Sequence, residues 1–302
     1  MGKLWGKDTP PVRLETAVSF FAGRPFQICR IALFQKMSDT QQRYHGFMSS
    51  QETVESMESA KIPKADPLEL ARQRLIVALD VPDSKSAMRL VAELEGTCKW
   101  FKVGLELFVA AGPAVLEPIV ARGHNVFLDL KLHDIPNTVA GAVRSAAGLG
   151  VRMLTVHAGG GPAMLAAAKD ALAGVANAPE LLAVTVLTSM DAEQLNAVGV
   201  DGIPSFQVET LTKMGLGAGI RGFVCSPQEV EAVRALTGPA GVLVIPGIRP
   251  AGSAIGDQKR VAGPADALHL GASYLVVGRP ITQAADRAKA AAAILEEMAG
   301  AL

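Results

Sequence analysis

From Leu70 to the C-terminus, short apolar runs alternate with Ala-rich stretches whose apolar residues recur at helical spacing. The runs read as strands at Leu75–Leu79, Trp100–Val103, Val126–Leu130, Met153–Val156, Leu182–Leu187, Gly222–Cys225, Val242–Ile245 and Tyr274–Val277. The stretches between them read as helices at Ser84–Leu94, Ala114–Ala121, Val139–Leu149, Pro162–Ala173, Val208–Met214, Pro227–Leu236 and Ala265–Leu270, with a last one from Ile281 to Ala299. Strands that are apolar on both faces belong in a parallel sheet covered by helices. Such βα repetition fits a doubly wound sheet or a closed barrel, and eight units in about 230 residues favour the barrel. The expected fold is α/β, a single-domain (β/α)8 TIM barrel over residues 70–302.

Residues 1–69 break this pattern. Trp5, Phe20, Phe21, Phe26, Phe34 and Phe47 are scattered without a sustained period, and Met37 to Pro67 is polar. The stretch reads as a poorly ordered extension with a short helix near Leu14–Phe21. The alternative is a start-site artefact, since Met37, Met48 and Met57 are later possible starts. No run of 18 apolar residues is free of charges or breakers, so no membrane span is expected. The apolar stretch Ala17–Ala22 is too short for a secretory signal and has no convincing cleavage site after it.

Composition narrows the function classes. Hydrophobic residues make up 49% and charged residues 19%, as in a globular enzyme with a large core. Lys plus Arg and Asp plus Glu number 29 each, so general nucleic-acid binding is not expected and any anion must be met by local groups. Cys29, Cys98 and Cys225 are odd in number and far apart, with neither metal spacing nor a disulfide framework. That suits a reducing cytosol, and a cytoplasmic location is expected.

The polar residues inside the pattern cluster at the C-terminal ends of the expected strands, the rim on which barrels carry their sites. In Asn125–Thr138, Asp129 and Lys131 are two apart and should share one strand face, with Leu128, Leu130 and Leu132 on the other. Asp134 follows three residues later. Buried together these charges are tolerable only if paired. A structural ion pair is the bland reading, but the position before a loop with a second Asp favours a functional site. Asp80 ends the first strand and reads as a site residue rather than a helix cap, because Asp83 and Ser84 are better placed to cap. Lys102 interrupts an apolar strand and should point into the barrel mouth toward Asp129, against the alternative of a lysine snorkelling outward.

Pro246-Gly247-Ile248 after the seventh strand and Gly278-Arg279-Pro280-Ile281 after the eighth read as a phosphate grip. Glycine lets backbone N–H groups approach an anion, and Arg279 offers a bidentate fork. Gln258 lies in the long loop after the seventh strand and could close over the phosphate. Thr188 and Ser189 could bond a polar ligand edge or cap a helix. His157 is as readily a rim histidine as a catalytic one, and His133 stays unassigned. Gly159–Gly161 is not a dinucleotide fingerprint, and no His/Asp/Glu cluster has convincing metal spacing.

These residues in order resemble the orotidine 5′-phosphate decarboxylase family. The pieces that carry the resemblance are Val77-Ala78-Leu79-Asp80, Phe101-Lys102-Val103-Gly104, Asp129 through Thr138, Leu187-Thr188-Ser189, Pro246-Gly247-Ile248-Arg249 and Val277-Gly278-Arg279-Pro280-Ile281. It spans residues 70 to 300 and leaves the extension outside. The D-x-K-x-x-D core alone is shared with metal-using sugar-phosphate decarboxylases and synthases, which are expected to carry a carboxylate where this chain has Lys102. A non-catalytic phosphate-ligand binder is a third reading, against which the intact charge array argues.

The resemblance implies decarboxylation of orotidine 5′-monophosphate to UMP, the last step of de novo pyrimidine synthesis, without cofactor or metal. It implies a catalytic array of Lys102, Asp129, Lys131 and Asp134, with Lys131 donating a proton to C6. It also implies a homodimer in which Asp134 and Thr138 reach the neighbour's site. Asp80 and Lys102 would hold ribose hydroxyls, Thr188 and Ser189 the pyrimidine edge, and Gln258, Gly278 and Arg279 the phosphate, with Gly247 and Arg249 beside them.

Overall fold

The computed structural model describes residues 66–250 and 260–302. Eight parallel strands pair in chain order and close on themselves: β1 (Leu75–Ala78), β2 (Trp100–Gly104), β3 (Asn125–Leu132), β4 (Met153–His157), β5 (Glu180–Val184), β6 (Gly222–Val224), β7 (Val242–Ile245) and β8 (Tyr274–Val277), with β8 paired back to β1. This is the expected (β/α)8 barrel. Helices α1 (Pro67–Arg72), α2 (Ser84–Leu94), α3 (Leu105–Ala111), α4 (Glu117–Ala121), α5 (Pro136–Ala147), α6 (Gly161–Asp170), α7 (Ala192–Ala197), α8 (Pro204–Gly217), α9 (Val230–Thr237), α10 (Pro264–His269), α11 (Arg279–Thr282) and α12 (Arg287–Ala299) accompany the strands. Among the described residues no helix is long and apolar enough to cross a membrane.

Each strand sorts its side chains by alternation. One set, Ile76, Ala78, Trp100, Phe127, Met153, Leu182, Val244 and Val276, forms a buried cluster of its own. The intervening residues, such as Val77, Phe101, Leu128, Leu154 and Val277, belong to the larger cluster shared with the helices. Fully burying one large apolar side chain contributes roughly 1.5–3 kcal/mol. Two apolar layers of this kind give a scaffold that can carry charge at the strand ends.

The differences from the expected elements have local causes. Helix α1 takes in Pro67–Glu69, which the hydrophobic pattern assigned to the extension; Asp66 caps it by accepting from Leu68 N at 3.0 Å. The rest of that extension, residues 1–65, lies outside the described residues. Helix α3 was missed because only Leu107 is buried, so no apolar stripe marks it. Helix α7 rests on a capping box between Asp191 and Gln194, not on periodicity. The expected single C-terminal helix divides at Asp286, whose side chain accepts from Lys289 N at 2.9 Å and starts α12. Strand β5 stops three residues short of Leu187. Beyond Thr185 the carbonyls of Val186 and Leu187 are met by the Arg260 side chain instead of a neighbouring strand.

Candidate active site

Following the inward rows past the apolar cluster leads to the site. Ile76 and Ala78 continue to Asp80, Trp100 to Lys102, Phe127 to Asp129, and Val276 to Gly278. These ends meet in a cavity of 390 Å³, a size suited to a small ligand such as a nucleotide. Its wall includes Asp80, Lys102, Asp129 and Lys131 from the β1–β3 side, and Thr188 and Cys225 after β5 and β6. Gly247 and Arg249 after β7, with Gly278 and Arg279 after β8, complete it.

The charges form a continuous chain. Lys102 Nζ lies 2.9 Å from Asp80 Oδ1 and 3.6 Å from Asp129 Oδ2, and Lys131 Nζ lies 2.8 Å from the same Asp129 oxygen. Asp129 is 8% exposed. Burial alone would push its carboxyl up. The Lys102 and Lys131 ammoniums, with hydrogen bonds from Lys131 and Thr155, outweigh that and hold it below the usual carboxylate range. Burial acts on Lys102 in the opposite sense, and Asp129 and Asp80 overcome it, so its ammonium is held above the ordinary lysine value. Both groups are therefore charged at neutral pH.

Lys131 reaches Asp129 through an irregular strand, not a regular one. Leu128 pairs with Leu154 and Leu132 with Val156, so three residues of β3 stand opposite Thr155 alone. Lys131 takes up the excess with φ 49°, a left-handed conformation that costs a non-glycine residue about 1–3 kcal/mol. Thr155, fully buried, compensates twice: its hydroxyl accepts from Lys131 N at 2.8 Å and donates to Asp129 Oδ1 at 3.1 Å. Lys131 lines the cavity from this bulge, and one hydroxyl bonds both its backbone and the carboxylate that its ammonium meets.

Two residues of this site are given no role by the sequence reading. Thr155 is one, and its signal was available: a polar residue on the inward face of β4, beside the strand that carries Asp129. Gly104 is the other. A Cβ there would lie 2.9 Å from Lys102 Nζ and 3.5 Å from Asp80 Oδ1, so glycine leaves room for that ion pair. No pattern in the strand announces it.

The remaining expected site residues divide. Gly247 sits at φ 78°, which glycine adopts without strain. Asp134, Thr138 and Ser189 are exposed and do not line the cavity of this chain. Asp134 Oδ1 accepts from Ile135 N at 2.6 Å at the start of α5. Gln258 lies outside the described residues. His157 Nδ1 accepts from Gly159 N at 3.1 Å, and its ring stacks on His133 with centroids 5.1 Å apart. Burial, then His133 and Lys131, lowers the His157 pKa. Burial pushes the Cys225 thiol up, so no thiolate nucleophile faces the cavity from there. Among the described residues, no three His, Cys, Asp or Glu side chains are grouped to hold a metal ion.

Residues 73–294 match the orotidine 5′-phosphate decarboxylase / HUMPS family. The chain belongs to this family. It is 53% identical over 234 residues to the orotidine 5′-phosphate decarboxylase of Moorella thermoacetica, covering 76% of this chain and 93% of that one. It is 52% identical over 228 residues to that of Halorhodospira halophila, covering 76% and 97%. The crystal structure of orotidine 5′-phosphate decarboxylase from Lactobacillus acidophilus superposes with TM-score 0.66 at 39% identity, over 74% of this chain and 98% of that one. The matched region is the barrel with its charged rim, and the similarity therefore covers the site described above.

Proposed function

We propose that this chain decarboxylates orotidine 5′-monophosphate to UMP and CO2, the closing step of de novo pyrimidine synthesis. The observation that carries the reading is the Asp80–Lys102–Asp129–Lys131 chain on the cavity wall, in a chain of the decarboxylase family. Breaking the C6–carboxylate bond leaves the electron pair on C6. Lys131, an ammonium fixed beside Asp129, stabilises that pair and then gives C6 its proton. The lysine regains a proton from solvent for the next cycle. Asp129 stands near the departing carboxylate and disfavours the bound substrate relative to the transition state.

Asp80 and Lys102 hold the ribose hydroxyls, and Thr188 with Ser189 meets the pyrimidine edge. Gly247, Arg249, Gly278 and Arg279, with Gln258, hold the phosphate. Two guanidiniums beside a neutral charge chain suit a phosphate dianion. Asp134 and Thr138, exposed on this chain, complete the neighbour's site in a homodimer and extend the charge array. Binding energy from the phosphate is spent on turnover as well as on affinity.

The test follows the absorbance of orotidine 5′-monophosphate with purified protein, with and without excess EDTA. Equal conversion to UMP in both arms is expected. Conversion that stops with EDTA would favour a metal-using sugar-phosphate enzyme of the same fold, and binding of UMP without turnover would favour a phosphate-ligand binder.

A further inference from the structure

An ion pair that the proposed reaction does not use joins the connection after β6 to the connection after β7. Glu229 and Arg260 are 4% and 6% exposed. Arg260 Nη1 donates to Glu229 Oε1, and the hydroxyl of fully buried Ser226 donates to Glu229 Oε2. The second nitrogen of the fork, Nη2, donates to Leu187 O at 3.0 Å and Val186 O at 3.5 Å. Both of those residues line the cavity, just before Thr188. On its other side Arg260 adjoins the stem of the β7 connection. There Ile248 bridges to Ala262, and Arg249 N donates to Ala262 O at 2.9 Å. One guanidinium thus ties the connections after β5, β6 and β7 together without lining the cavity itself. Among the described residues its Nε is buried with no hydrogen-bond partner, so the fork's contacts run through its two terminal nitrogens.

We propose that Arg260 is a positioning residue. Anchored by Glu229, its fork holds the β7 wall, which carries Gly247 and Arg249, against the β5 wall that ends in Thr188, so that phosphate and base are gripped in one geometry. The inference rests on the phosphate reading given under the proposed function. Only a planar fork spans these partners. A lysine keeps the charge but gathers its donors at one atom and cannot reach Glu229 and both carbonyls at once.

The experiment measures kcat and KM for orotidine 5′-monophosphate and for the phosphate-free nucleoside orotidine, in wild type, Arg260→Lys and Glu229→Gln, with thermal unfolding alongside. Displaced walls are expected to lower kcat/KM for the nucleotide on the order of 10²-fold. The nucleoside is expected to lose at least tenfold less, because it draws nothing from the phosphate grip. A wild type inactive on the nucleotide overturns both this inference and the proposed function. An active wild type whose variants lose stability but keep the nucleotide-to-nucleoside ratio overturns this inference alone. If both variants fail to fold, the pair is a scaffold bond and the inference is likewise overturned.

Discussion

Two buried ion clusters among the described residues of the barrel's C-terminal end are finished differently. In the Glu229–Arg260 pair the side chains are 5% and 8% exposed, and further hydrogen bonds run to Ser226 and to backbone carbonyls. In the chain from Asp80 to Lys131 the middle is closed, with Lys102 and Asp129 side chains at 12% and 11%, but the ends are open: Asp80 at 57% and Lys131 at 31%. Both clusters meet the cost of desolvating charge by pairing. Only the second leaves an ammonium facing a cavity. A charge whose partners are all protein holds structure together, whereas one left half-satisfied at a cavity wall has interaction energy to give to a ligand.

The largest test of this contrast is Lys131→Ala. It removes the open end of the chain and the proposed proton donor together, and kcat for orotidine 5′-monophosphate should fall by about 10⁴-fold or more. Near-normal turnover, measured by absorbance with the folded variant, would sink the mechanism. Asp129→Asn comes next. It removes the anion common to both lysines, leaving Lys102 buried with Asp80 alone, so turnover should fall on the order of 10²–10³-fold. Breaking a buried pair this way also costs about 3–5 kcal/mol of stability, to be read from denaturant unfolding. A variant that loses activity without losing stability would show that the chain does not behave as a buried cluster.

Smaller changes sharpen the comparison. Thr155→Val keeps the volume and removes both bonds that hold the β3 bulge. About 1–3 kcal/mol of stability should go, with kcat lower on the order of tenfold as Lys131 loses its fixed geometry. Unaltered kcat would mean that the ion pair alone aims Lys131.

The smallest effect concerns pH. Asp129 has its pKa depressed by folding, so its contribution is present above the unfolded value of about 3.9 and is lost as pH falls through the folded value. Lys102 has its pKa raised, so its contribution is full below about 10.4 and is lost as pH rises through the folded value. The melting temperature should therefore change little from these groups around neutrality and fall at both extremes. Lys102→Met should flatten the alkaline fall, and an unchanged alkaline limb would refute that assignment.

The rows of residues themselves explain how much could be read in advance. Alternation within strands and apolar periodicity between them are local, and Asp80, Lys102 and Asp129 interrupt rows that are otherwise apolar. Their convergence followed once the barrel was recognised, because a closed parallel barrel brings all C-terminal strand ends to one rim. The bulge at Lys131 was not legible, since regular alternation already put Lys131 beside Asp129 and hid the irregular route by which it gets there. Gly104 was not legible either, because its role is the space it leaves for two side chains from other positions.

Arg260 is the clearest case of the second kind. In sequence it is one basic residue in Asp257-Gln258-Lys259-Arg260, with nothing to separate it from Lys259. Its partners Glu229 and Leu187 lie 31 and 73 residues away. Which strands form, and which of their ends carry charge, follow from interactions between near neighbours and are written in the chain order. Which charges are consumed by the protein and which stay available to a substrate depends on contacts across the closed barrel, and those exist only after it has folded.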